Sequence, residues 1–127
     1  MPDTAQFLVA EDDTVLQMDL EDTLRTAGFD PLIAANGAQA MVALETEGAN
    51  LRVLVTSIRI GDGPDGWEVA RRAREIKPSI PVVYVSGSHP DEWAVNGVPN
   101  SLLVEKPFAA AQVVVAVSAL LLKVAGG

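Results

Sequence analysis

A chain of 127 residues, 49% hydrophobic and 20% charged, is long enough to bury a substantial core as one domain, residues 1–127, and too apolar to be disordered. Its formal net charge of −8 argues against the cationic face that direct nucleic-acid binding requires. With no cysteine there can be no disulfide, thiolate metal site or cysteine nucleophile. Phe7-Leu8-Val9-Ala10 is a short apolar run that breaks into Glu11-Asp12-Asp13, a strand with acids at its C-terminal end. Thr14 or Asp13 can cap the helix that follows. Val15, Met18, Leu20 and Leu24 recur there at helical spacing, and Gly28 closes it. The segment from Phe29 to Ala35 is a second strand, and Pro31 suggests an edge position. Asn36 caps a second helix carrying Ala40, Met41, Ala43 and Leu44, which ends near Gly48.

Val53-Leu54-Val55-Thr56-Ser57 has the β-branched composition of a strand buried on both faces. Trp67, Val69, Ala70, Ala73 and Ile76 then mark a third helix, with Arg71, Arg72 and Arg74 on its wet side. Val82-Val83-Tyr84-Val85-Ser86 is another buried strand, and residues 89–95 can form only a short helix before Gly97 and Pro99. Leu102-Leu103-Val104 is a fifth strand, and Ala109 to Val124 the last helix. Strands alternating with helices across short links describe a doubly wound parallel sheet covered on both faces. The longest apolar tract, Phe108 to Leu122, is shorter than the ~20 residues that span a bilayer. No basic, cleavable leader precedes the first strand, so a soluble cytoplasmic protein with no membrane partner is expected.

Parallel strands collect their C-terminal ends on one rim. That rim gathers Glu11, Asp12 and Asp13, then Ser57, Ser86 and Lys106. Hard oxygen ligands in small number suit Mg²⁺, and a lysine with a hydroxyl suits phosphoryl oxygens. Each residue also has a plainer role. Asp13 is best explained as a helix cap, Lys106 can neutralise the Glu11–Asp12 pair in a structural ion cluster, and Ser86-Gly87 can be a turn. Residues 61–66 match G-x-G-x-x-G, but the strand has already ended, two aspartates lie in the loop and Pro64 lacks an amide, so a dinucleotide site is rejected. His89 has no partner of its own in the sequence pattern, and Trp67 and Trp93 are packing residues.

Four stretches, taken in order, resemble the receiver domain of bacterial two-component response regulators. They are residues 7–13; Val55-Thr56-Ser57-Ile58-Arg59 running on to Pro64-Asp65-Gly66-Trp67; residues 83–87; and Val104-Glu105-Lys106-Pro107-Phe108. The resemblance covers essentially the whole chain. It implies a flavodoxin-like (βα)5 fold with strand order 2-1-3-4-5. It also implies a Mg²⁺ site built from Glu11, Asp12 and the backbone carbonyl of Arg59. Ser86 then matches the hydroxyl, and Lys106 the ammonium, that contact a phosphoryl group delivered by a histidine kinase, with a cis Lys106-Pro107 bond.

Two positions depart from that pattern. The acceptor aspartate is replaced by Ser57, and the aromatic that usually reorients with the Ser86 hydroxyl is replaced by Leu103. A serine hydroxyl without a base is a poor nucleophile and gives a stable ester, and loss of one carboxylate weakens Mg²⁺ binding. Asp62 and Asp65 lie past the strand end and are poor substitutes. The expected function is therefore a phosphorelay receiver module, not an enzyme, that is not phosphorylated on aspartate and acts by protein contact. Its partners would be a histidine kinase or another signalling protein, with a homodimer through the last helix, the short fourth helix and the fifth strand. In the last helix Val113, Val117 and Leu120 can face the core while Val114, Val115 and Leu122 remain. Two alternatives stay open. One is an ordinary Mg²⁺-dependent phosphoreceiver whose aspartate was exchanged for Ser57 by engineering, although a single designed change would not account for Leu103. The other is a small Mg²⁺-dependent phosphatase or phosphotransferase, against which stands the lack of an Asp-x-Asp nucleophile after the first strand. A flavin site is disfavoured by the acidic first loop.

Overall fold

Short β-branched runs separated by amphipathic segments fold here as expected. The computed structural model describes residues 6–86, 90–105 and 110–125. In chain order the elements are β1 (Gln6–Ala10), α1 (Thr14–Thr26), β2 (Asp30–Ala34), α2 (Gly37–Glu47), β3 (Val53–Ser57), α3 (Gly66–Ile76), β4 (Val82–Ser86), α4 (Pro90–Asn96), β5 (Ser101–Glu105) and α5 (Ala110–Ala125). All pairings are parallel, in the order β2-β1-β3-β4-β5. This is the flavodoxin-like arrangement, with β2 and its Pro31 on an edge. A 3-10 turn at Gly48–Asn50, not anticipated from sequence, carries α2 into β3.

Alternation along the strands divides the core in two. Leu8, Leu54, Val82 and Tyr84 face Leu44 of α2 and Trp67, Val69 and Ala70 of α3. Phe7, Val9, Val53, Val55 and Val83 face Leu20 and Leu24 of α1 and Val113, Val117 and Leu120 of α5. Every residue of β3 and β4 is buried, which is why these strands read as unbroken apolar runs.

Three expectations need correction. Val15 and Met18 do not join the buried stripe of α1 but are 77% and 65% exposed. The stripe runs through Leu16, Leu20 and Leu24, four residues apart, and Val15 and Met18 fall off that line. Arg74 is not on the wet side of α3. Its Nε donates to the Ile80 carbonyl at 2.7 Å and its Nη1 to the Pro99 carbonyl at 2.6 Å, tying α3 to the loops that enter β4 and β5. Its long stem reaches a half-buried position where carbonyls replace water, and burial pulls the guanidinium pKa down. Finally, α5 is less apolar on its outside than expected, since Val114 packs against the core and leaves Val115 and Leu122 exposed. Arg72 does behave as a surface residue, and its guanidinium forks onto Glu45 at 2.7 and 2.9 Å, linking α3 to α2. That hydrogen bond holds the Glu45 carboxyl below its usual range.

Tyr84 is fully buried in β4, its ring 4.8 Å from that of Trp67, and the backbone N–H of Val98 donates to its hydroxyl at 3.1 Å. Burial raises its phenol pKa above the ordinary value of 10.0. The fold favours the neutral phenol, so this contribution is intact below pH 10.0 and is lost as pH rises through the folded-state pKa. Tyr84 is the sole tyrosine of the chain, so ultraviolet titration of tyrosinate reads it alone, and its midpoint should lie above that of the urea-unfolded chain. Tyr84→Phe should abolish this alkaline component and, by stranding the Val98 N–H, cost about 1–3 kcal/mol in urea unfolding.

Candidate functional site

Ala10 of β1 lies opposite Thr56 of β3, so the next residues, Glu11 and Ser57, leave adjacent strand ends together. They share the parity of Val9 and Val55 and so turn to the α1–α5 side of the sheet. The consequence is a direct contact. The Ser57 hydroxyl donates to Glu11 Oε1, in a bond buried from solvent. Glu11 is 1% exposed and Ser57 3%. The second carboxylate oxygen, Oε2, accepts from the Asp13 backbone N–H at 3.0 Å. Glu11 is held from its backbone as well, its N–H donating to the Ala34 carbonyl at 3.0 Å and its carbonyl accepting from Gln17 Nε2 at 2.6 Å.

The two aspartates that follow have separate fates. Asp13 is the N-cap of α1, its Oδ1 accepting from the N–H groups of Val15 and Leu16 at 2.9 and 3.1 Å. Asp12 is exposed. It borders the β3–α3 loop, where a Cβ built on Gly61 would stand 4.0 Å from Asp12 Cβ and 3.6 Å from Asn36 Cβ. The path of that loop depends on its glycines. Gly61 and Gly63 take φ of 73° and 91°, and a Cβ on Gly66 would stand 2.0 Å from the Ser57 carbonyl oxygen. The Gly66 N–H donates to the Ile58 carbonyl at 2.7 Å, and Asp65 caps α3 through Glu68 N–H at 3.0 Å. These bonds turn the chain sharply after Ser57 and occupy Asp65.

Arg59 is exposed, and its guanidinium reaches Glu92 of α4 at 3.8 Å, leaving only its backbone for the rim. Ser86 is buried at the end of β4, one residue beyond the Ser57–Val85 pairing and opposite Glu105. Leu103 pairs with Tyr84 and packs, half-buried, against the α2–α3 core. Lys106, with Pro107, lies outside the described residues, as does His89. Among the described residues no group of three or more acidic or histidine side chains could hold a metal ion. The donor chemistry of Glu11 and Asp12 suits a hard cation, but Glu11 already spends its oxygens on Ser57 and Asp13, so a metal must compete with those bonds.

A family model described as the response regulator receiver domain matches residues 7–118. The chain belongs to that family. The receiver protein CpdR of Brucella abortus is 37% identical over 82 residues, which are 65% of this chain and 66% of that one. A stretch of the sensor kinase CckA from the same organism is 27% identical over 122 residues, 94% of this chain and 13% of the kinase. The crystal structure of a response regulator receiver protein from Sinorhizobium medicae WSM419 superposes with a TM-score of 0.88 at 48% identity, covering 93% of this chain and 94% of that one. This chain thus spans two-thirds or less of the curated relatives' own lengths. Receiver domains are two-component signalling modules that generally bind Mg²⁺ beside the acceptor; in this chain Ser57 ends β3.

Gln17, which holds the rim, carries no sequence signal: it is an ordinary helix residue until α1 brings its amide back over Glu11. Away from the rim, the partners of Tyr84 and Arg74, Val98 and Pro99, were equally illegible because they lie far along the chain. Only Gly66 was accessible in principle, as a glycine directly following a turn.

Ser57→Ala removes the hydroxyl donor from a buried carboxylate and should cost about 1–3 kcal/mol in urea unfolding. Gly66→Ala forces a methyl into the backbone of β3 and should lower stability by about 3 kcal/mol, read in the same assay.

Proposed function

We propose that this receiver domain is not phosphorylated on aspartate and signals by protein–protein contact, without catalysing a reaction of its own. The observation that carries the reading is the buried hydrogen bond from Ser57 to Glu11 at the acceptor position. A carboxylate there could accept a phosphoryl group as a labile acyl phosphate, whereas the serine hydroxyl is a weak nucleophile whose ester would persist. In this reading Glu11, Asp12 and the Arg59 carbonyl are the residues that would hold Mg²⁺, weakly, because one negative charge is missing and Glu11 must release Ser57. Such a metal would supply charge neutralisation for phosphoryl oxygens. Ser86 and Lys106 are the phosphoryl-contacting pair, and Leu103 supplies no aromatic to turn toward Ser86. Leu103 packs instead into the core, which supports a rim that stays in one state.

The module is read as one cytoplasmic domain whose partner is a histidine kinase or another signalling protein. The similarity to a stretch of a sensor kinase supports that class. No helix among the described residues is long and apolar enough to cross a membrane, in keeping with a soluble setting. Self-association would use α5 and β5, where Val115 and Leu122 are exposed and Leu102, Leu103 and Val104 are half-buried.

Incubation with Mg²⁺ and a small acyl phosphate tests the central claim. The protein should take up no hydroxylamine-sensitive label, and Ser57→Asp should acquire one if the remaining rim is competent. A hydroxylamine-sensitive aspartyl phosphate on the unaltered chain would overturn the reading.

A further inference from the structure

At the far end of the sheet from the rim lies a cleft of about 440 Å³. It is bounded by residues that enter β3 and β4 and by the second half of α5. Arg52 and Lys77 stand on one side with Ser79, and Ser118, Leu121 and Leu122 form the α5 wall. The volume falls within the range of small-molecule sites, roughly 300–1,000 Å³. No acidic side chain is among the described residues that line it, in a chain whose net charge is −8.

The cations in this cleft are not used as the other arginines of the chain are. Arg25 pairs with Glu21, Arg59 with Glu92 and Arg72 with Glu45, while Arg71 reaches Asn96 and Arg74 caps backbone carbonyls. Arg52 makes no side-chain hydrogen bond or ion pair among the described residues. Lys77 spends one donor on the Leu51 carbonyl at 2.8 Å, and an ammonium carries three. Part of this positive charge complements the C-terminal end of α3. That role does not require an apolar wall opposite, nor two serines beside the cations.

We propose that the cleft binds a small amphipathic anion, a carboxylate or phosphate carried on a short apolar tail. The head group sits between Arg52 and Lys77 within reach of the serine hydroxyls, and the tail lies along Leu121 and Leu122. Such a ligand would bridge the α3–β4 loop and α5, at the end of the sheet remote from Ser57. The same chemistry could be presented free in solution or at a lipid surface.

Backbone amide NMR of the intact chain, titrated with octanoate and octyl phosphate below their micellar concentrations, reads binding directly. Shifts should centre on Arg52, Lys77, Ser79, Ser118 and Leu122. Inorganic phosphate, lacking the tail, should bind more weakly, and octylammonium should leave these amides unmoved. Arg52→Glu and Leu122→Ser alter exposed side chains and should each weaken binding roughly tenfold or more. Phosphatidylglycerol vesicles that broaden the same amides, when the monomeric amphiphiles shift none, would assign the anion to a membrane surface. Equal binding of octylammonium, undiminished affinity in Arg52→Glu, or no response to any anionic probe would overturn the proposal.

Discussion

The parallel register of β1 against β3 is the constraint on which the rest of the rim depends. With Ala10 opposite Thr56, the residue after each strand body meets its neighbour, and Glu11 and Ser57 form a buried hydrogen bond. A slip of one residue between the two strands would leave Glu11 and Ser57 on opposite faces of the sheet. In the observed alignment Val9 and Val55 sit side by side in the α1–α5 core. The chemistry of the rim thus inherits its geometry from hydrophobic packing two residues away.

Close backbone approach is the second determinant. Gly66 lets α3 begin directly over the end of β3, and Gly37 does the same where α2 meets Pro64, whose carbonyl oxygen would be 1.8 Å from an added Cβ. These contacts fold the β3–α3 loop against Asp12 and Asn36 and leave Asp62 exposed at its outer edge. Charge is then distributed by capping. Asp13, Asn36 and Asp65 each cap a helix N-terminus, while Glu11 bonds to Ser57 and the Asp13 N–H, so of the acids in the first loop Asp12 is the exposed one that caps no helix.

Away from the rim, a chain of polar contacts joins α4 to the core. The Trp93 indole donates to the Ser101 hydroxyl at 3.0 Å, Ser101 donates to the Val98 carbonyl at 2.7 Å, and the Val98 N–H donates to Tyr84. Tyr84 in turn packs on Trp67 of α3. The aromatic mass in this half of the protein is therefore hydrogen-bonded or packed inside, while its neighbour on β5, Leu103, is aliphatic.

Local pattern in the sequence determined most of the architecture. Apolar runs bounded by turn residues specify the strands, since period and length depend only on neighbouring side chains, and the caps at Asn36 and Asp13 are equally local. The order Glu11-Asp12, Ser57, Ser86 and Lys106 made the rim legible through its resemblance to receiver domains, and that resemblance also singled out Ser57. Tertiary structure alone decided which acid Ser57 would meet, that Gln17 would return over Glu11, and that Arg74 would serve carbonyls instead of water. It also decided that Val15 and Met18 would face outward, and that Arg52 would share a cleft with Leu121. These outcomes depend on register and on contacts between residues far apart in the chain, and neither is encoded in any single window of sequence.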